Sequence, residues 1–252
     1  MPSSRVLAAI AVLMSPFFLA APSKAEPSGG PTVVELFTSQ GCYSCPPAEA
    51  YLRELAVRRD IVALEWHVDY WDDLVYGLAG RWKGPFSSPE ATQRQRTYNV
   101  NLRGSPNVYT PQMVMAGRYE AVGSRRGSVQ SAIIRNRRQT PSKIEVAVTP
   151  GAGTGLSVRI NGVDDRPGSI WLVRFDREHT TPVRAGENKG KTLVSRNIVR
   201  DMQLIGAWDG TATEVALPAP NLSQNQGCAV LVQNDRPSAT GPILGAAYCP
   251  RG

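Results

Sequence analysis

Two cysteines three positions apart, Cys42 and Cys45, separate a short apolar run from a stretch with helical spacing. That placement constrains the first half of the chain more than any other feature. The run "PTVVELFT", residues 31–38, is apolar and β-branched, the pattern of a buried strand. "AEAYLRELAVRRD" follows, with Ala48, Leu52, Leu55 and Ala56 on one helical face. "IVALEWHVD", residues 61–69, reads as a second strand. A strand, a helix and a strand in this order predict a right-handed βαβ unit with parallel strands. An excursion over about residues 70–107 then carries one helix, with Ser88 as its N-cap and Pro89 as its first residue. "TPQMVMAGRYEAVG", 110–123, predicts a hairpin turning at Ala116–Gly117. "SVQSAIIRNRRQ" predicts a helix with Val129, Ala132 and Ile133 inward, arginines in its last turn and Pro141 as its stop.

Beyond Pro141 the pattern changes. "KIEVAVT", "GLSVRIN", "SIWLVRFD", "TLVSRNIVR", "TEVALP", "CAVLVQ" and "ILGAAY" are strand-like runs divided by Gly, Pro, Asn and Asp. Strands this closely spaced, with no helical pattern among them, predict an antiparallel sandwich or barrel-like unit. The expected organisation is a signal peptide over 1–25, an α/β domain over 26–140 and a β domain over 141–252.

The signal reading rests on Arg5, the apolar run 6–21 and the small residues of "SKA", 23–25. The run is short for the ~20 residues a membrane-spanning helix needs, so no stable span is expected after cleavage. A periplasmic or secreted location follows, and in an oxidising compartment cysteines form bridges. Four cysteines fall into two local pairs, Cys42 with Cys45 and Cys228 with Cys249. The second pair reads as a structural staple. The formal charge is +7, with the basic residues dispersed and not interleaved with aromatics, which argues against nucleic acid as a partner.

A C-x-x-C at a helix N-terminus has a direct chemical use. Unpaired N–H groups and the partial positive charge of the helix end favour a thiolate, which is the attacking species in disulfide exchange. Cys42 would be the attacking sulfur and Cys45 the resolving one. Pro46–Pro47 belong in the first turn, which makes Ser44 the expected cap. His67 and Asp69, at the carboxyl end of the second strand, are candidate neighbours of the pair. Two rivals stay open: a copper-binding protein or chaperone using Cys42, Cys45 and His67, and a non-catalytic envelope interaction protein whose bridge is fixed.

The stretches "VVELFTSQGCYSCPPAEAYL", "VALEWHVDYWD", "YTPQMVMAGR" and "VRAGENKGKTLVSRNIVR" with "GAWDG" resemble the thioredoxin-like superfamily. They are most similar to an exported bacterial family of unknown function, over nearly the whole chain after the signal. The resemblance implies an α/β thioredoxin-like N-terminal domain followed by an all-β sandwich-like C-terminal domain. It also implies a cis peptide bond before Pro111, with Thr110 and Pro111 docking a substrate backbone near the cysteines. The function so implied is thiol–disulfide exchange with protein thiols or disulfides of the cell envelope, without a cofactor. It leaves substrate, direction and oligomeric state open.

Overall fold

The computed structural model describes residues 30–139, 143–153, 155–235 and 240–250. The expected signal segment, 1–25, and the expected boundary at 140–142 lie outside the described residues. The elements run β1 (Thr32–Thr38), α1 (Pro46–Leu55), β2 (Ile61–His67), α2 (Pro89–Arg103), β3 (Gln112–Met115), β4 (Tyr119–Val122) and α3 (Arg126–Gln139). Seven strands follow: β5 (Ile144–Pro150), β6 (Leu156–Gly162), β7 (Gly168–Pro182), β8 (Thr192–Trp208), β9 (Thr213–Leu217), β10 (Gln226–Gln233) and β11 (Ile243–Tyr248).

Local chemistry behaves as the residue patterns dictate. Ser88 Oγ accepts from the Ala91 N–H at 3.1 Å and caps α2, with Pro89 at its first position. The β3–β4 turn runs through Ala116 and Gly117, both at positive φ. A side chain on Gly117 would meet the Gly241 carbonyl at 2.5 Å, so this turn needs glycine. Val129 and Ile133 of α3 are buried, as is the Leu52–Leu55 face of α1. Each such leucine contributes about 2 kcal/mol of burial. The expected cap Ser44 is displaced by one residue: Cys45 is the N-cap of α1 and Pro46 and Pro47 open the helix.

The expected fold class is corrected. The chain does not make an α/β thioredoxin-like domain followed by a separate β-sandwich. It is mostly β, with one mixed eight-stranded sheet in the order β11-β10-β7-β8-β2-β1-β3-β4 and a three-stranded sheet β5-β6-β9. Strands from both halves share the large sheet, because β8 lies alongside β2. The seam is unusual. Its ladder consists of the pair Glu65–Ile198. Side chains supply the rest: the Tyr248 hydroxyl accepts from Ala63 N–H at 2.8 Å and donates to Ala63 O at 3.1 Å, and Asn197 Nδ2 donates to Ala63 O at 2.9 Å. The main-chain groups of Ala63 are thus satisfied by side chains rather than by a neighbouring strand.

Three apolar layers follow. One lies under α1 and α3 and holds Leu36, Leu52, Met113 and Ile133. Another lies under α2, around Phe37, Trp66 and Tyr98. The last fills the gap between the two sheets, with Val158, Ile160, Ile170, Trp208 and Val230. Strands β7 and β8 are longer than their apolar runs suggested, 15 and 17 residues, and stay paired to Pro182–Thr192. Their far end is an arm that reaches back to the cysteine turn.

Candidate functional site around the Cys42–Cys45 turn

Strand β1 ends at Thr38, and the chain turns through Ser39–Ser44 into α1. Within that turn Cys42 N–H donates to Ser39 O at 3.1 Å and Cys45 N–H to Cys42 O at 3.2 Å. This tight winding brings the two sulfurs together as a disulfide with Cα atoms 5.4 Å apart. Cys42 Sγ lies 3.3 Å from the hydroxyl of the exposed Ser44, and both cysteines are buried. The helix end behind the pair has an unusual electrostatic character. Pro46 and Pro47 carry no N–H, and the Ala48 and Glu49 N–H groups both bond Cys45 O. The helix therefore acts on a sulfur through its dipole field, not through donated hydrogen bonds.

Thr110–Pro111 is a cis peptide, as expected from the resemblance. It sits one residue beyond the Phe37–Gln112 pair, at the carboxyl end of β1 where the cysteine turn begins. Trp71 links the two. Its Nε1–H donates to Thr110 Oγ1 at 2.9 Å, and its Cβ packs on Gly41. The loop before Pro111 is held by Gln95, whose Nε2 donates to Tyr109 O at 2.7 Å and to Gln112 Oε1 at 2.9 Å.

His67 and Asp69 have partners other than the cysteines. His67 is buried, its Nε2 is 2.8 Å from Glu65 Oε1, and its ring packs edge-on against Phe86. Asp69 exchanges hydrogen bonds with Thr92 of α2. Among the described residues no group of three or more His, Cys, Asp or Glu side chains is placed to hold a metal ion, so Cys42, Cys45 and His67 do not form one. Cys228 and Cys249 are bridged within the layer between the two sheets, where Cys249 N–H also donates to Cys228 O at 2.8 Å.

Two sets of residues at this site carry no sequence signal that places them beside the cysteines. The first is acidic. Glu49, on the first turn of α1, points into the protein and accepts from Thr38 Oγ1 at 2.8 Å. Burial, with Glu65 nearby, pushes its carboxyl up to about 8, against the pull of Thr38 and Arg53. Glu65 itself accepts from Arg196 N–H at 3.0 Å. The second set is the tip of the β7–β8 arm, residues 183–191. Asn188 Nδ2 donates to Gln40 O at 2.8 Å and to Cys42 O at 2.9 Å, and Glu187 Oε2 accepts from Tyr43 N–H at 2.7 Å. Under this strap both Cys42 and Cys45 have zero exposure.

On the α2 face a different concavity, about 690 Å³, opens between α2 and β7–β8, with Trp66, Trp171 and Met202 on its walls. Arg94 at its edge is buried against Glu35, donating from Nε at 2.7 Å.

Residues 33–233 match the model of a family described as a protein of unknown function (DUF1223). The chain is 34% identical to protein AGR_C_4864 from Agrobacterium tumefaciens, whose X-ray crystal structure it matches with a TM-score of 0.75. That alignment covers 89% of this chain and 96% of the other. A comparison with curated proteins finds no match. These findings bear out the likeness to a family of unknown function, and neither description mentions a thioredoxin-like protein. The two disulfides fit an oxidising compartment. Among the described residues no helix is long and apolar enough to cross a membrane.

Proposed function

The chain belongs to the DUF1223 family, and from its geometry we propose that it is an exported thiol–disulfide oxidoreductase acting on envelope proteins through Cys42 and Cys45. The observation that carries the reading is the position of the bridge. It closes directly at the N-cap of α1, where the helix dipole favours whichever sulfur is released as a thiolate. In the oxidised form a substrate thiolate attacks Cys42 Sγ. The Cys42–Cys45 bond breaks, its electron pair leaves on Cys45 Sγ, and that sulfur takes a proton. A second substrate thiolate then attacks the substrate sulfur of the mixed disulfide and releases Cys42. The substrate loses two electrons and becomes a disulfide, and the cysteine pair gains them. The reverse sequence reduces a substrate. Thr110–Pro111, held to the turn by Trp71, is where a substrate backbone would lie. A periplasmic or secreted location suits this chemistry and the two bridges.

Trapping tests the proposal. With Cys45→Ser, Cys42 has no internal partner, and mixed disulfides with envelope proteins should accumulate on it. A folded variant that forms none refutes the function.

One observation favours a second reading, an envelope interaction protein with a fixed bridge: neither cysteine is exposed. Under that reading the bridge resists reduction even when the strap is opened.

A further inference from the structure

The strap over the disulfide does more than exclude solvent, because of which groups it occupies. Three main-chain groups beside the bridge face it: the carbonyls of Gln40 and Cys42 and the N–H of Tyr43. Asn188 fills both carbonyls with one carboxamide N–H₂, at 2.8 and 2.9 Å, and is itself fully buried. Glu187 fills the N–H at 2.7 Å. An amide donor on two carbonyls and an oxygen acceptor on an N–H are what a passing polypeptide backbone would offer. The carboxamide is oriented by Lys191, whose Nζ donates to Asn188 Oδ1 at 2.9 Å and lies 4.3 Å from the centre of the Tyr43 ring. Gly186 N–H anchors the tip to Ala79 O at 2.9 Å.

An independent feature points to the same occupant. Gln40 is fully buried beside these seats, yet among the described residues neither its Nε2 nor its Oε1 has a partner. A buried carboxamide with both ends unmet is costly, and a peptide group satisfies such a pair reciprocally.

Resting on the exchange function proposed above, we propose that the 183–191 strap is an internal pseudosubstrate: it holds the seats of an extended polypeptide and is displaced when such a segment, carrying a thiol or disulfide, binds. The Gln40 carboxamide, with the Gln40 and Cys42 carbonyls and the Tyr43 N–H, is then the backbone clamp of the site. It is a positioning group, since no bond forms or breaks on it.

The test follows reduction of the Cys42–Cys45 bridge in the full chain, by alkylating released thiols. Two reductants are compared: dithiothreitol, whose two thiols become a cyclic disulfide as the bridge takes two electrons, and an unstructured peptide carrying two cysteines. Asn188→Ala removes the two hydrogen bonds by which Asn188 ties the strap to the turn, so both reductants should react roughly tenfold faster. The gain should be similar for the two, since both need the strap open, and use of the vacated seats is read from Gln40. Glu187→Ala, at a half-buried position, should give a smaller gain of the same order and serves if Asn188→Ala does not fold. In the Asn188→Ala background, adding Gln40→Ala should slow the peptide and leave dithiothreitol unchanged. Folded strap variants no faster than the parent, or a Gln40→Ala change that does not slow the peptide relative to dithiothreitol, overturn the proposal. Its failure is distinct from that of the exchange function: mixed disulfides trapped on Cys42 with no strap effect sink only the pseudosubstrate.

Discussion

Glu49→Gln should abolish a specific loss of stability between pH 5 and pH 8.5. Glu49 is 1% exposed, and burial together with Glu65 raises its carboxyl from 4.5 to about 8. The unfolded chain releases this proton near pH 4.5 and the folded chain near pH 8. Between those values the folded state holds the extra proton, so stability falls as pH rises. The stabilisation is fully present below the unfolded value and is gone above the folded one. Each unit of difference corresponds to about 1.4 kcal/mol, which makes the full effect on the order of 3–5 kcal/mol. Glutamine keeps an oxygen for Thr38 Oγ1–H and has nothing to ionise. At pH 5 the two proteins should therefore agree within about 1 kcal/mol. At pH 8.5 the Gln variant should be the more stable by several kcal/mol. Urea unfolding of both proteins across this range measures it, and taking the difference removes the titrating groups that do not interact with Glu49. Parallel curves would refute the assignment of Glu49 as a buried, proton-holding acid.

Other consequences are more local. Replacing Cys228 and Cys249 together by Ala frees a 21-residue separation, so unfolding should become easier by about 3 kcal/mol. Reduction of Cys42–Cys45 should be unaffected, which alkylation of the native double variant would check. Tyr248→Phe removes the hydroxyl that serves both main-chain groups of Ala63 at the β2–β8 seam, and should cost about 1–3 kcal/mol in denaturant titrations. It should also speed hydrogen exchange at Ala63 more than at the centre of β10. An effect below about 0.5 kcal/mol would mean that the seam does not depend on this residue.

The sequence makes the local elements readable because their signals are local. The β-branched runs at 32–38 and 61–67, the Ser88–Pro89 cap and the Ala116–Gly117 turn each state their own conformation. What failed was the assembly of halves. The β2–β8 seam is made by Glu65, Asn197 and Tyr248, far apart in sequence and without a hydrophobic pattern that links them. A chain read in segments therefore separates naturally into an α/β part and a β part, although its strands share one sheet. At the site the same limit applies. C-x-x-C and Pro111 are visible as motifs, whereas Asn188 reaches the turn from 146 residues away and no local pattern links it to the cysteines. Glu49 lies one helical turn past Cys45 in a charged, ordinary-looking helix, and nothing short of the packed structure reveals that it faces inward. His67 and Asp69 show the reverse case: expected near the cysteines from their place at the end of the second strand, they bond Glu65 and Thr92.

The claim that Cys42 and Cys45 exchange electrons with other proteins is tested most directly by equilibrating the intact chain with glutathione buffers of graded potential and scoring the oxidised fraction of this pair. A working exchange pair should titrate between about −270 and −120 mV. A bridge that stays closed below about −300 mV would be a fixed staple, and the catalytic account would be wrong.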